Sequence, residues 1–260
     1  MIKNRPKFKT PEELQKQVGD AEELLGAKIM PREINNEALV SEMKEKYGAR
    51  YGVYLQMLRS RRNKREGNIS EYTRAKNMIQ ALNNLDLYAL RHQYDKEGRI
   101  LRDRQFDVFS DISKFLESGG QNGYIKLPTG VGKTILFSQV VESMGLKTMI
   151  VVPSKILVGQ TGEKLESFTE LEYGSYFQDE KDASKQVVTI TYQSLGRAID
   201  EGIINPKDFQ LLILDEAHKA LSSNRQELLK NFDAIKLGFT ATPKYSEEKH
   251  LKDLLENEIH

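Results

Sequence analysis

The stretch GYIKLPTGVGKT (residues 123–134) contains the residue types that bind a nucleotide phosphate. Gly130 and Gly132 allow backbone N–H groups to turn toward an anion, and a helix that begins near Lys133 points the positive end of its dipole at the same place. In such a loop Lys133 reaches the outer phosphates and the Thr134 hydroxyl binds Mg²⁺. The structural alternative is a glycine turn that only caps an ordinary helix.

A pair of acids, Asp215 and Glu216, follows the wholly apolar run LLIL (211–214). Such a pair must project into water or against a cation, because an unpaired buried charge is costly. With Mg²⁺ on Thr134, Asp215 would hold the ion, directly or through a water, and Glu216 would polarise the water that attacks the γ-phosphate of ATP. The alternative is a helix N-terminus, where the dipole favours acids. Beside the phosphate loop, the functional interpretation is favoured.

These groups can meet only if the chain folds as an α/β domain. After residues 95–99, short β-rich runs alternate with helical ones, which predicts right-handed βαβ units and a parallel sheet with helices on both faces. The predicted strands are 123–127, 147–152, 187–191, 211–214 and 235–239, and the predicted helices lie near 133–143, 155–167, 193–201 and 223–232.

Polar or turn-forming residues follow each predicted strand at once. In an open parallel sheet, ligands bind outside the carboxyl ends of the strands. We therefore expect all of these stretches to line one edge of the sheet. They are PTGVGKT (128–134), PSK (153–155), YQS (192–194), DEAH (215–218) and TATP (240–243).

The N-terminal part differs in pattern and charge. Apolar residues recur at helical spacing over residues 11–95, which predicts a smaller helical domain at 1–96 ahead of an α/β domain at 97–260. Residues 1–100 carry 20 Lys and Arg against 14 Asp and Glu, whereas the rest carries 19 against 24. The basic run LRSRRNKRE (58–66) either binds a phosphate backbone or is a solvated helix end. We recognise no family in this part; it could bind nucleic acid, dock a partner protein or brace the other domain.

The composition excludes several other classes of protein. The 260 residues are 38% hydrophobic and 30% charged, as in a soluble globular protein, and no apolar run approaches the ~18 residues of a membrane helix. The absence of cysteine removes disulfides, Cys-ligated zinc and thiol nucleophiles, and it fits a reducing compartment. The N-terminus MIKNRPKFKT has no apolar segment behind its positive charges, so it is not a secretory signal. We expect a cytoplasmic or nucleoid-associated protein with no membrane partner.

Several stretches together resemble the motifs of a known family, the DEAD/DEAH-like helicases of superfamily 2. LPTGVGKT, VVPSKILVGQ, TYQSL, LILDEAH and GFTATP look like its motifs I, Ia, Ib/Ic, II and III, in that order, and LRDRQ (101–105) looks like its adenine-recognising glutamine motif. The resemblance covers about residues 98–245, the first of two RecA-like motor domains. It is also similar to the motors of type I and III restriction enzymes and of repair helicases. It implies a RecA-like P-loop NTPase domain that uses ATP and Mg²⁺ and acts on nucleic acid, with DNA favoured over RNA.

The resemblance also implies roles for individual residues. Gln105 would read the adenine edge, and His218 would help to link the ATP site to the nucleic-acid site. Without the family, Gln105 is a surface glutamine that opens a helix and His218 caps a helix. Lys155 is the only cation among the implied nucleic-acid contacts, so most of that binding would come from neutral hydrogen bonds. By role, the implied sets are the nucleotide loop Thr129, Gly130, Val131, Gly132, Lys133 and Thr134; the catalytic residues Lys133, Asp215, Glu216 and His218; the Mg²⁺ ligands Thr134 and Asp215; the coupling residues Thr240 and Thr242, which are otherwise strand-end threonines; and the nucleic-acid contacts Pro153, Ser154, Lys155, Gln160, Thr191, Gln193 and Ser194.

Leu127 stands where the general phosphate-loop pattern has its first glycine. We expect Leu127 to end the strand and Pro128, with its fixed φ, to start the loop. Helicase-type loops similarly often read Pro-Thr-Gly-x-Gly-Lys-Thr. The departure therefore favours a nucleic-acid motor over a small kinase or GTPase.

The family closes two RecA-like domains on ATP, and the second supplies an arginine finger and motifs IV to VI. After TATP only KYSEEKHLKDLLENEIH follows, which we expect to be a charged tail too short for that domain, and no arginine occurs beyond Arg225. An arginine finger is worth about 10³–10⁵ in rate. We expect a fragment of a longer enzyme that binds ATP–Mg²⁺, hydrolyses it slowly and unwinds nothing alone. The competing hypotheses are the motor part of a type I or III restriction endonuclease and a non-hydrolysing, ATP-gated nucleic-acid binding module.

Overall fold

The computed structural model describes the α/β part of the chain. The described residues are 103–169, 171–177, 180–242, 244–246 and 249–260, together with Ala81 and Asn84. Apart from those two residues, the predicted helical domain at 1–96 and its basic run at 58–66 lie outside the described residues.

The apolar runs of the sequence form the strands of a mainly parallel sheet. The strands are β1 (Asn122–Lys126), β2 (Thr148–Val152), β3 (Tyr173–Phe177), β4 (Glu180–Lys181), β5 (Val187–Thr191), β6 (Leu211–Asp215), β7 (Ile235–Thr240), β8 (Lys244–Ser246), β9 (Lys249–His250) and β10 (Asn257–Glu258). Eight of them form one sheet in the order β10–β1–β7–β6–β2–β5–β3–β4, and β8 pairs with β9 in a separate hairpin. Within the sheet only β4 runs antiparallel to its neighbour. Every residue of β2, β5, β6 and β7 is buried, as expected for a parallel sheet covered on both faces.

Helices connect the strands, and local interactions fix their ends. They are α1 (Asp103–Glu117), α2 (Lys133–Met144), α3 (Lys155–Phe168), α4 (Tyr192–Asp200), α5 (Ser223–Lys230) and α6 (Lys252–Leu255), with 3₁₀ turns at Pro206–Asp208 and Ala217–Leu221. At the start of α3, the Leu157 N–H donates to the Ser154 hydroxyl at 3.4 Å, which is an N-cap. Across the parts of the chain that the structure describes, none of the helices has the length and apolar character needed to span a membrane.

Two apolar layers cover the sheet, one on each face. Helices α1, α2 and α3 contribute to the first layer, in which the rings of Phe137 and Phe239 pack edge to face with centroids 5.7 Å apart. Helices α4 and α5 contribute to the second, which includes Leu195 and Leu229. The sheet is therefore the rigid platform from which the loops at its edge project.

The predicted elements of the α/β part are present. The predicted strands and helices occur with bounds within two residues of the prediction. The sequence did not predict α1, α6, β3, β4, β8, β9 or β10. The strand β3 has the sequence YGSYF and lacks the apolar run that marked the other strands.

The segment that follows TATP belongs to the folded domain, so the prediction of a charged tail was wrong. Leu251 and Leu255 are fully buried against the second layer. Strand β10 extends the sheet beside β1, and the Tyr124 hydroxyl donates to Glu258 Oε2 at 2.8 Å. The two leucines were not predicted to be buried because the segment carries many charges. Leu251 directly precedes α6 and Leu255 ends it, so their spacing of four residues places them on one face of the helical turn.

Candidate functional site

The strand ends bring the predicted site residues to one edge of the sheet. Lys126 at the end of β1 pairs with Thr240 of β7, and Asp215 of β6 lies opposite the residue before Thr240. At the ends of β2 and β5, Val152 pairs with Thr191. Because these strands are parallel, their carboxyl ends converge, as the sequence predicted.

The glycine loop has the backbone conformation that an anion-binding turn requires. Gly130 and Gly132 have φ values of 81° and 83°, a region that other residues rarely adopt. A side chain on Gly132 would also come within 2.9 Å of Gln105 Nε2, whereas the space at Gly130 is open. Helix α2 begins at Lys133, so its N-terminal N–H groups face the loop. The open space, the positive φ values and the helix start fit a bound phosphate.

Leu127 belongs to the sheet core instead of the loop. The strand ends at Lys126, one residue earlier than predicted, but the Leu127 N–H still donates to the Thr240 carbonyl at 2.8 Å. The Leu127 side chain is buried in the first apolar layer. A glycine at this position would lose that packing, which explains why the chain departs from the general loop pattern here.

An ion pair joins the loop to the acids. Lys133 Nζ lies 2.7 Å from Glu216 Oε1, and the two side chains are 11% and 26% exposed. The Glu216 carboxylate therefore pairs with the Lys133 ammonium group, which the sequence predicts to bind phosphate. Because 83 positions separate the two residues in the chain, only the fold brings them together.

Asp215 is a buried carboxylate at the end of β6. It is 8% exposed, and its Oδ1 accepts the Glu216 N–H at 3.0 Å. Burial raises the pKa of Asp215 to about 6, and the charge of Glu216 adds to the rise. A carboxylate held in this way gains from a divalent cation, so Asp215 fits the role of a Mg²⁺ ligand. Among the residues that the structure describes, no cluster of three or more acids or histidines could hold a metal alone; a nucleotide-associated Mg²⁺, which keeps phosphate and water ligands, needs no such cluster.

Replacing Asp215 with Asn will stabilise the nucleotide-free chain at pH 7.5 by on the order of 2 kcal/mol. The folded state keeps the Asp215 proton up to pH about 6, whereas the unfolded chain loses it near 3.8. Stability therefore falls as the pH rises through this window, and the full cost is present above pH 6. Urea unfolding at pH 7.5 and pH 4.5 measures the difference, which should shrink at the lower pH. Asp200→Asn, at an exposed carboxylate, is the control, and an equal gain there would contradict the interpretation.

Glu216 stands at the N-cap position of the 3₁₀ turn Ala217–Leu221, with an unusual backbone conformation. Glu216 has a φ of 45°, a strained value for a residue other than glycine, and its side chain makes no capping hydrogen bond to the following 3₁₀ turn. The side chain points to Lys133 instead. Strain of this kind is retained where the surroundings fix the geometry, which is common at functional sites.

His218 and two threonines form a hydrogen-bonded cluster beside Glu216. The Thr240 hydroxyl donates to the Thr242 carbonyl at 2.8 Å, so it accepts a hydrogen bond from His218 Nδ1–H at 3.0 Å. The same Nδ1 lies 3.5 Å from Glu216 Oε2. Burial lowers the pKa of His218 despite the nearby Glu216 carboxylate, so the ring is neutral near pH 7. His218, Thr240 and Thr242 are the residues predicted to link the ATP site to the nucleic-acid site. They therefore lie together next to Glu216.

Gln105 lies at the start of α1 beside the loop and is buried. Its side-chain amide donates to the Val131 carbonyl at 3.3 Å. A cavity of about 590 Å³ opens here and is lined by Gln105, Val131 and Leu136, among others. Its mixed polar and apolar lining suits a flat heterocyclic base. The interpretation of Gln105 as a surface residue is wrong.

The residues predicted to contact nucleic acid lie at the ends of β2 and β5. The Thr191 hydroxyl donates to Ser194 Oγ at 2.9 Å and accepts the Ser194 N–H at 3.1 Å, which caps α4. Ser194 is half-buried and Gln193 is exposed. At the neighbouring strand end, Ser154, Lys155 and Gln160 are exposed and Pro153 is half-buried. Helices α3 and α4 thus both begin at the same edge of the sheet.

The structure adds Tyr192 and Arg225, which the sequence did not single out. The Tyr192 hydroxyl donates to the Asp215 carbonyl at 3.0 Å, and the Arg225 guanidinium lies 5.3 Å from the centre of the Tyr192 ring. The only signal in the sequence was the position of Tyr192 directly after a strand.

The fold and the site together define a class of protein. A parallel sheet with a glycine loop after β1 and an Asp-Glu pair after β6 is the RecA-like ATP-binding domain of the superfamily 2 helicases. A model of the family described as "Type III restriction enzyme, res subunit" matches residues 99–245, and the chain belongs to this family.

Individual relatives are similar to the chain in sequence, and one solved structure is similar to it in fold. The chain is 35% identical over 131 residues to "DNA 3'-5' translocase XPB2" of Sulfurisphaera tokodaii, which is 50% of this chain and 29% of the relative. It is 29% identical over 163 residues to "ATP-dependent DNA helicase MPH1" of Candida glabrata, covering 55% of this chain and 15% of the relative. The chain thus spans less than a third of these relatives. Its fold is similar to the Sulfolobus solfataricus SWI2/SNF2 ATPase core in complex with dsDNA, with a TM-score of 0.53, 18% identity and coverage of 66% of this chain and 36% of that one.

Proposed function

We propose that this chain is the first ATP-binding motor domain of an ATP-dependent DNA helicase or translocase. The observation that carries the proposal is the Lys133–Glu216 ion pair at 2.7 Å, on the same sheet edge as Thr191 and Ser194. It gives one edge both a phosphate-binding lysine and a hydrolytic carboxylate beside polar groups that suit a nucleic-acid backbone. The names of the relatives, a DNA translocase and a DNA helicase, favour DNA as the ligand.

In this proposal each residue near the loop has one task. Lys133 exchanges Glu216 for the outer phosphates of ATP, and the loop N–H groups from Thr129 to Thr134 hold the remaining phosphate oxygens. Thr134 and Asp215 hold Mg²⁺, which when bound neutralises charge on the phosphates. Gln105 binds the adenine edge.

The released Glu216 carboxylate then orients and deprotonates the attacking water. His218 is neutral and hydrogen-bonded to Thr240. It fixes the position of the turn that carries Glu216 relative to the strand-end threonines Thr240 and Thr242. Lys155 and the hydroxyls of Ser154, Thr191 and Ser194 bind the sugar-phosphate backbone, together with Pro153, Gln160 and Gln193. We expect slow hydrolysis and no unwinding by residues 1–260 alone, because the family completes its ATP site with an arginine finger from a second RecA-like domain, which contributes about 10³–10⁵ in rate.

The proposal predicts that the chain binds DNA through this edge. Fluorescence anisotropy with labelled DNA and RNA of one sequence, single- and double-stranded, measures the affinities in the presence of ATP–Mg²⁺. We expect DNA to bind more tightly than RNA, and Lys155→Ala to weaken DNA binding several-fold and to reduce the salt slope by about 1. Lys207→Ala, at an exposed lysine of the turn that precedes β6, is the control and should change neither. Absence of DNA binding, or an equal effect of the two variants, would overturn the proposal.

The family description favours a second candidate, the motor part of a restriction endonuclease. In that case a nuclease acts elsewhere in the full-length protein. Incubation of the full-length protein with plasmid DNA, ATP and Mg²⁺ separates the two, because only the second candidate yields cleaved DNA. ATP turnover by the full-length protein, with and without DNA, separates both from an ATP-gated binding module that does not hydrolyse ATP.

A further inference from the structure

Tyr192 connects the end of β5, where Thr191 and Ser194 lie, to the turn formed by Asp215 and Glu216. It is the first residue of α4, directly after Thr191, and its hydroxyl donates to the backbone carbonyl of Asp215 at 3.0 Å. Strands β5 and β6 are not neighbours, since β2 lies between them. The Tyr192 side chain therefore bridges strand ends that are about 10 Å apart, a link that the ladder hydrogen bonds do not supply.

The groups that form this link are fixed by burial. Tyr192 is 4% exposed, and the Arg225 guanidinium above its ring also donates to the Lys219 carbonyl at 2.7 Å. Burial raises the pKa of Tyr192 well above its usual value, so the hydroxyl stays a donor at all pH values near neutral. A displacement of the start of α4 must then move the Asp215 carbonyl or break a buried hydrogen bond, which is costly.

A phosphate can displace the start of α4 because it competes for the Thr191 hydroxyl. In the structure this hydroxyl donates to Ser194 Oγ at 2.9 Å. A phosphate oxygen is a stronger acceptor than a neutral hydroxyl, since charge-assisted hydrogen bonds are shorter and stronger. Bound DNA would therefore accept the hydrogen bond from the Thr191 hydroxyl in place of Ser194 Oγ and shift the backbone that carries Tyr192.

At the other end of the link is the ion pair between Glu216 and Lys133. Glu216 follows Asp215 directly, has the strained φ of 45° and holds Lys133 at 2.7 Å. Lys133 cannot give its full charge to both this carboxylate and a nucleotide phosphate. The structure shows the ion-paired state; a nucleotide phosphate that draws Lys133 away would produce a released state, and a movement of the Asp215 carbonyl would change the dihedral angles beside Glu216.

We propose that Tyr192 is a positioning residue that transmits nucleic-acid binding at the start of α4 to the Asp215–Glu216 turn and so releases Lys133 for ATP. The inference rests on the proposed function, since it requires both ligands on this chain. By linkage, DNA must tighten ATP binding by the same factor by which ATP tightens DNA binding.

Tyr192→Phe tests the proposal, because it keeps the ring and its packing against Arg225 and removes only the hydroxyl. The apparent Kd of a fluorescent ATP analogue for the 260-residue chain is measured with and without saturating single-stranded DNA. We expect DNA to tighten ATP binding about fivefold in the wild type and less than about twofold in Tyr192→Phe, with each ligand alone bound nearly as in the wild type. Tyr176→Phe removes a hydroxyl that donates to Glu201 Oε2 at 3.3 Å in another part of the domain, and it should keep the wild-type factor.

Hydrogen exchange provides a second measurement that needs no variant. The Lys219 N–H donates to the Glu216 carbonyl at 2.8 Å, so its exchange reports on the turn. We expect DNA to speed the exchange of this amide in the wild type. Retention of the fivefold factor by Tyr192→Phe, a wild-type factor of one, or unchanged Lys219 exchange would each overturn the inference, whereas failure of the wild type to bind ATP or DNA would overturn the proposed function instead.

Discussion

We expect the substitution Lys133→Ala to lower the affinity of the chain for ATP by about 100-fold or more. The lysine is 11% exposed, so its hydrogen bonds to phosphate form with little competition from water. Hydrogen bonds between charged groups contribute about 1.5–3 kcal/mol each, and about 1.4 kcal/mol is a factor of ten in affinity. The loss of one or two such bonds accounts for the effect.

Isothermal titration calorimetry with ATP and Mg²⁺ measures this loss. Lys185→Ala is the matched control, because Lys185 also pairs with a carboxylate, that of Glu172, but in a more exposed position at the amino ends of the strands, the edge of the sheet opposite to the site. It should leave the ATP affinity unchanged. A loss of less than about threefold in Lys133→Ala would show that the glycine loop is a structural turn, since a loop lysine that binds phosphate contributes far more than about 1 kcal/mol.

Glu216→Gln is expected to change ATP binding and ATP hydrolysis in opposite directions. The substitution removes the charge that holds Lys133 in the ATP-free state, so ATP should bind about fivefold more tightly, because a partly exposed ion pair contributes about 1 kcal/mol. Hydrolysis should slow by about 10²–10⁴, because a neutral amide cannot act as the general base. A residue with only a structural role would not produce this combination.

Single-turnover hydrolysis of labelled ATP, with the chain in excess over a range of concentrations, separates the two effects. Glu227→Gln on α5 is the control, because it removes an exposed ion pair with Lys230 and leaves the site intact. The role assigned to Glu216 would be wrong if hydrolysis by Glu216→Gln matched that of Glu227→Gln. Weaker ATP binding by Glu216→Gln would show that the ion pair with Lys133 does not compete with the nucleotide.

The site residues could be named from the sequence because strand ends and loop chemistry are local properties. The run GYIKLPTGVGKT carries its glycines, lysine and threonine within a few positions, and Asp215 and Glu216 directly follow an apolar strand. The parallel sheet then requires these strand ends to converge. The same local reading failed for the segment after TATP, because the burial of Leu251 and Leu255 depends on the face of the sheet that they cover.

The sequence by itself determined the α/β class, the order of the main elements and the positions of the glycine loop and the acids at strand ends, since periodicity and turn chemistry act over a few residues. Only the tertiary structure decided the contacts between them. The Lys133–Glu216 ion pair, the burial that raises the pKa of Asp215 to about 6, and the Tyr192 hydroxyl on the Asp215 carbonyl each depend on parts of the chain that are far apart in the sequence. Spacing along the chain does not specify such contacts, because strand order and burial arise from the packing of the whole sheet.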